Sequence, residues 1–558
     1  MIKKLNIIIA ISTLICLNGV SFIAFSQEDN LVKEVQVVRP YEPTISDAFK
    51  LNILPQVEDT IRIQPTFSYN LAIRPVTINF AVNPIPPARM VAEPLSRASQ
   101  GYIKAGFGNY ASPLLEVYYS NERSKDYSYG ANFKHYSSFG NIKLDNKQKV
   151  DGDFSHTSFN AFGKKIFNNS ALAGDMGILR YGYGFYGHDT SAVAMPVPEE
   201  VDRQMQQRFN VNVSYYSTHS DSAHFNYQAL AHFSNFTDKF DMQQNTFALR
   251  ADLDRFFKIE KVGGRIEFTH HMNNLSLAPG DNSILSFAPW IGLFGKQWRV
   301  KAGVNAAFDI NQQGTQSHFY PIGQLSYDIV SNYVIPYFQF SGYLEDNNYA
   351  KIMGENPWVS PGLNLWNTSH KFILRGGVKG NLSPRVAYNV SASYSLIDSA
   401  YFFVNQPDGS NSFLENRFSV EYDNVRYKNF LGELTIAPTT KIKVFLQAQF
   451  NSYTMQDIER PWHKPSYVGR AMASYNIQDK ILLKANFFIE GKRYIRTFNG
   501  SSREIDGIMD LNLGVEYRYN RRVSAFLDLN NLTGNRYHLW HLYPVQQFNM
   551  RLGLTYAL

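Results

Sequence analysis

The chain of 558 residues has a single cysteine, Cys16, and it lies within an apolar leader, so a disulfide framework or a thiolate centre is excluded. Long apolar runs are scarce as well. No stretch of 18 or more apolar residues follows Ile23, which excludes a membrane helix from the rest of the chain. Charged residues make up only 18%, and the formal net charge of +7 is spread without basic runs, two units of it on Lys3 and Lys4. Nothing in that pattern supports nucleic-acid binding. Aromatic residues are abundant: 15% of the chain, with 35 Tyr and 41 Phe, in a sequence whose mean hydropathy is only −0.29. A polar average with so many aromatics fits strands that are apolar on one face and polar on the other.

The amino terminus reads as a secretory signal. Lys3 and Lys4 precede an apolar stretch from Leu5 to Ile23, and Ala24-Phe25-Ser26 places small residues at the peptidase positions, so cleavage is expected before Gln27. Cys16 follows Ile15 rather than a small residue, so no lipid anchor is expected. Residues 27–100 then hold nine of the 24 prolines, which break helices and ladders alike. An extended, proline-rich periplasmic or lumenal segment is expected there, without a core of its own.

From Gly101 to Leu558 the chain alternates with the period of a strand. In the last eleven residues Met550, Leu552, Leu554, Tyr556 and Leu558 share one face, opposite Arg551, Gly553, Thr555 and Ala557. In Met509 to Arg518 the apolar set Met509, Leu511, Leu513, Val515 and Tyr517 opposes Asp510, Asn512, Glu516 and Arg518. Ile442, Val444, Leu446, Ala448 and Phe450 repeat the pattern. A charged inner face would make a poor core in water, whereas lipid outside and a polar lumen inside require such a strand. Short turns are expected near Arg123, Asn168, Asp221, Val262, Lys296, Ser331, Ser383, Thr439, Gln478 and Asn520. They alternate with long connections at 188–204, 349–369, 399–427, 455–465 and 533–546. Ten short turns imply about 22 strands, with both barrel ends on the short-turn side, which is periplasmic in outer-membrane barrels. The expected fold class is therefore all-β, a transmembrane antiparallel barrel of about 22 strands behind a proline-rich segment.

The carboxyl-terminal pieces Asn531-Leu532-Thr533-Gly534, Tyr537, Tyr543-Pro544 and Gly553-Leu554-Thr555-Tyr556 resemble the closing pattern of the TonB-dependent receptor family. The resemblance implies a Gram-negative outer-membrane location and insertion by the barrel-assembly machinery through the last strand. It also implies contact with outer-membrane lipid and lipopolysaccharide, and ligand uptake at the external loops. The family's amino-terminal plug finds no counterpart: only Val32, Val35, Val37 and Val38 resemble its energy-coupling box, and 74 residues, 27–100, stand where a longer folded plug belongs. A barrel of this width is normally plugged. Residues 27–100, inward-folded loops or a partner polypeptide are therefore expected to fill the lumen.

Other motifs weigh little. Gly182-Tyr183-Gly184-Phe185-Tyr186-Gly187 has the glycine spacing of a dinucleotide site but lies within an aromatic strand. His270 and His271 are adjacent on a strand, point to opposite faces and cannot share a metal. No catalytic, cofactor or metal set is identified, and an enzyme is not expected. Trp358, Trp366, Trp462, His538, Trp540 and His541 fall in or near long connections and are the candidate surface-recognition residues. Two readings remain: a receptor that passes a ligand inward, with the Val32–Val38 strip as docking edge, and a plugless scaffold subunit without transport.

Overall fold

The computed structural model describes residues 100–121, 124–188, 201–219, 224–274, 280–360, 362–406, 416–497 and 500–558. The leader, the proline-rich segment and the Val32–Val38 strip lie outside the described residues. Because every second residue from Gly101 onward is apolar, each strand can bury its polar face only by turning it toward other strands' polar faces. Closing the sheet on itself satisfies all of them at once.

The result is one 22-stranded antiparallel sheet, each strand paired to its neighbour in sequence. Closure comes from Gly101–Gly108 against Asn549–Ala557, with Ile103 opposite Tyr556 and Phe107 opposite Leu552. In this last strand Leu552 and Leu554 are each 61% exposed, whereas Arg551, on the opposite face, is 1% exposed. The same alternation places Met509, Val515 and Tyr517 outside and Asp510 and Glu516 inside. His270 and His271 point to opposite faces, the first bonded to Ser283 at 2.8 Å and the second buried beside Thr246.

Inward charges are compensated laterally, as a partly dehydrated lumen wall requires. Asp252 pairs with Arg250 at 2.7 Å and Arg265 at 2.6 Å, Asp254 with Lys261 at 3.0 Å, and Glu116 with Lys134 at 3.0 Å. At the closure seam the Phe526 ring lies across the backbone of two glycines. A Cβ on Gly553 would approach that ring to 2.4 Å and one on Gly106 to 2.7 Å, while Lys104 sits 4.1 Å from the ring centroid. Only glycine admits so close an aromatic.

At the short-turn rim, Tyr119, Tyr127, Tyr215, Tyr475, Tyr517 and Tyr519 are exposed and mark an interfacial girdle. The short turns expected near Asn168, Lys296, Ser331, Ser383, Thr439, Gln478 and Asn520 fall where the pattern places them, those at Arg123 and Asp221 lie outside the described residues, and two expectations are corrected. The turn expected at Val262 is the two-residue Lys258–Ile259, with Lys258 at φ 60°, and Val262 lies inside the strand Glu260–Asn273. The long connection expected at 399–427 is largely strand: Val386–Gln406 and Arg417–Thr439 run 21 and 23 residues. Above the lipid-facing Phe430 the outward residues of the second become Lys428, Arg426 and Asn424, all exposed. The hairpin has left hydrocarbon there while its backbone pairing continues.

Candidate functional site

The long connections do not stand away from the barrel; they meet over its mouth. A seven-residue helix, Tyr349–Glu355, forms in the connection between Ile335–Glu345 and Thr368–Ser383. Asn348 caps it, its side-chain oxygen accepting from the Lys351 amide at 2.9 Å. Tyr349, Ile352 and Met353, spaced i, i+3, i+4, form its buried face. The following residues pair with the tall hairpin: Val359 bridges Phe418 in parallel, and the Ser360 amide donates to the Phe418 carbonyl at 2.8 Å.

Trp358 occupies the centre. Its ring stacks on Tyr543 with centroids 3.9 Å apart and meets Tyr183 and Tyr186 edge-on at 6.1 and 5.9 Å. Its indole N–H donates to the Gly184 carbonyl at 3.0 Å. Tyr183 donates to the Pro357 carbonyl, Tyr543 to that of Asn416, and Tyr186 to that of Pro544 at 3.0 Å. Around them one continuous apolar cluster gathers Ile142, Leu144, Met242, Phe403 and Phe418 from separate parts of the circumference. Groups so far apart on the wall can share a core only if the connections cross the axis. The mouth is therefore closed by an aromatic cap.

Polar groups fasten the cap's edges. Arg536 donates to the Leu144 carbonyl at 2.7 Å and pairs with Asp145 at 3.0 Å, tying the 531–548 connection to the ribbon Asn141–Lys143 and Lys149–Asp151. The bond from His538, with Arg536 nearby, holds the Asp145 carboxyl below the usual range. Asp423 accepts the amides of Gln456, Asp457 and Ile458 at 3.0–3.1 Å, which pins the connection at 456–466 to the tall hairpin. Glu355 is half-buried; burial opposes its charge, but Lys464 at 3.0 Å and the Tyr401 hydroxyl prevail and hold its carboxyl below the usual value. His463, between the Phe418 and Trp540 rings, is pushed well below the ordinary imidazole value by burial and by Arg493, His541 and Lys464.

The candidate recognition residues separate into three groups. Trp358, Trp462 and His541 are buried at 3%, 2% and 3% exposure and belong to the cap's interior. His538 and Trp540 are half-buried. Trp366 is 48% exposed, stacked on Tyr422 at 5.6 Å with its amide held by the Tyr422 hydroxyl at 3.0 Å. Sequence reasoning set aside Tyr183, Phe185 and Tyr186 as ordinary strand aromatics, yet they floor the cap. The apolar run Tyr401-Phe402-Phe403-Val404 was the available signal, since four successive apolar residues cannot all face lipid. Among the described residues no group of three metal-ligating side chains converges.

No family model and no curated protein matches the chain. Solved structures do. The ferric-catecholate import receptor Fiu from E. coli K12 superposes with a TM-score of 0.62 at 10% identity, covering 83% of this chain and 82% of that one. The FrpB iron transporter from Neisseria meningitidis gives 0.63 at 9% over 83% and 82%, and the siderophore receptor PirA from Acinetobacter baumannii gives 0.61 at 10% over 84% and 81%. The likeness is one of fold. It bears out the closed antiparallel barrel of about 22 strands expected from the sequence, and the structures named are receptors and transporters.

Proposed function

We propose that the chain is a Gram-negative outer-membrane receptor barrel that binds a ligand at its long-connection end and supports its passage to the periplasm. The observation that carries the reading is the pairing of a receptor-type barrel, shared over 83% of the chain with an import receptor, with a mouth closed by its own connections. An exposed stacked pair, Trp366 on Tyr422, lies beside that closure. A cap of several separate connections can be displaced by a ligand that prefers the open arrangement, the energetic requirement for gated entry. In this reading the short-turn rim faces the periplasm, the leader is cleaved before Gln27, and residues 27–100 occlude or dock. Val32, Val35, Val37 and Val38 offer a strand edge to an energy-transducing protein. The likeness to a ferric-catecholate import receptor makes a ferric catecholate the first probe.

The test is a tryptophan-fluorescence titration of the purified barrel with a ferric catecholate. Saturable quenching, weakened about tenfold by Trp366→Ala, is the expected result; a tenfold loss corresponds to about 1.4 kcal/mol. Absence of saturable quenching, together with a stoichiometric partner captured from native membranes, would replace this reading with the scaffold one.

A further inference from the structure

The outer wall carries a cleft where a barrel normally presents a filled apolar surface. Near the short-turn rim the strands Tyr127–Ser138, Phe154–Ile166, Ser170–Gly184 and Arg203–Ser217 run side by side. One row across them reads Tyr129, Gly163, Gly174, Val213. A Cβ on Gly163 would meet nothing within 4 Å, and one on Gly174 would meet only the Asn212 carbonyl at 3.3 Å and Val213 at 3.9 Å. The next row toward the mouth begins small, with Ala131 and Ala161, and continues with Met176 and Val211. Large side chains bound this hollow on both sides: Phe133, Phe159, Ile178 and Phe209 toward the mouth, and Tyr127 and Leu172 toward the rim. The hollow measures about 430 Å³ and is open along its outer side. Its lining is almost wholly apolar, and its tyrosine wall, Tyr127 and Tyr129, is stacked at 6.1 Å.

A charged group stands at one end only. Lys165 lies directly across from Tyr127 and Leu172, on the rim side of the hollow, and Lys125, also exposed, sits two residues before Tyr127. Neither lysine forms an ion pair with a described residue. A long apolar trough ending in exposed ammonium groups at the aromatic girdle matches a molecule with a hydrocarbon tail and an anionic head.

We propose that this cleft is a binding site for one glycerophospholipid of the periplasmic leaflet, an acyl chain lying over Gly163 and Gly174 and the phosphate held by Lys165 and Lys125. The choice of leaflet rests on the orientation given under Proposed function; the cleft itself does not. Elsewhere on the wall an equally open lipid-facing glycine, Gly432, lies outside this cleft, so it supplies the control.

The experiment is native mass spectrometry of the full barrel, purified in mild detergent and titrated with phosphatidylglycerol. Heat-modifiable migration confirms that each variant is folded. Retention of a single phospholipid by the wild type and by Gly432→Phe is expected, with at least a tenfold weakening in Gly163→Phe. Lys165→Glu, which leaves the hollow intact, should lose its preference for phosphatidylglycerol over phosphatidylcholine about fivefold. Equal retention by all four proteins overturns the proposal. So does a wild type that carries lipopolysaccharide, or a helical membrane polypeptide, instead of phospholipid. None of these results depends on ferric-catecholate quenching, so failure of the receptor reading and failure of this site are separately visible.

Discussion

The strand Asn549–Ala557 and the hairpin Val386–Gln406 with Arg417–Thr439 are walls of one barrel, yet they bury their side chains in opposite ways. In the first, the apolar face looks outward into lipid and the polar face into the lumen. In the second the pattern holds only as far as Phe430. Beyond it Phe402 and Val404 pack on Trp462 and Val425 on one side, while Phe403 and Phe418 join the cap core on the other. Alternation is thus the mark of a strand with two different solvents, and its loss marks a strand with protein on both faces. The cap is a small globular core built on top of a membrane protein, and it should behave as a separate cooperative unit.

The largest expected effect separates the two regions. Trp358→Ala deletes the stack on Tyr543 and the bond to Gly184, and should cost the cap about 3–5 kcal/mol. Conductance in planar bilayers should rise while heat-modifiable migration of the barrel stays unchanged; joint loss of both would mean that cap and wall unfold together. The converse variant, Leu554→Arg, sets a charge in the lipid-facing band at a cost of roughly 2–4 kcal/mol. It should lower the yield of folded barrel in the membrane without altering conductance per folded molecule. Asp423→Ala leaves the amides of Asn424, Gln456, Asp457 and Ile458 without this acceptor and should cost about 1–3 kcal/mol. The effect should be confined to hydrogen exchange at 424 and 456–458; spread to the wall would deny the cap's independence.

The smallest effect is one of pH. His463 is held neutral in the closed cap, its folded value depressed below the ordinary 6.5. The open or unfolded state therefore binds the additional proton as pH falls through 6.5. Cap stability should decline below that pH by up to about 1.4 kcal/mol per unit until the folded value is reached. Conductance measured from pH 7.5 to 5 should rise, and His463→Gln should flatten the curve; an unchanged slope would assign the titration elsewhere.

How much of this was legible in the sequence follows the same division. The register of Met550, Leu552 and Leu554, the closure of the barrel and the strand number were readable because lipid accepts only one pattern. The extension of strand through 399–406 was not, since above the membrane the period gives way to the run Tyr401–Val404. The loop tryptophans were read as one class because sequence does not reveal which apolar loop residues face one another: Trp358 and Trp462 hold the cap together and Trp366 is exposed. The helix Tyr349–Glu355 was missed because at seven residues it has barely two turns of periodicity. The glycine pair at 163 and 174 becomes visible only when register aligns two residues from different strands.

The Phe526 ring over Gly106 and Gly553 bears on time rather than on equilibrium. The seam joins residues as distant as Asn109 and Met550, 441 apart in sequence, so its formation carries the greatest loop-closure cost and falls late in assembly. One glycine arrives on each edge, and the ring is seated across both only once the cylinder is complete. Contacts made after the rate-limiting step slow the reverse reaction without hastening the forward one. The seam is in this sense a ratchet: it governs how long a finished barrel persists, whatever the pace at which barrels are made.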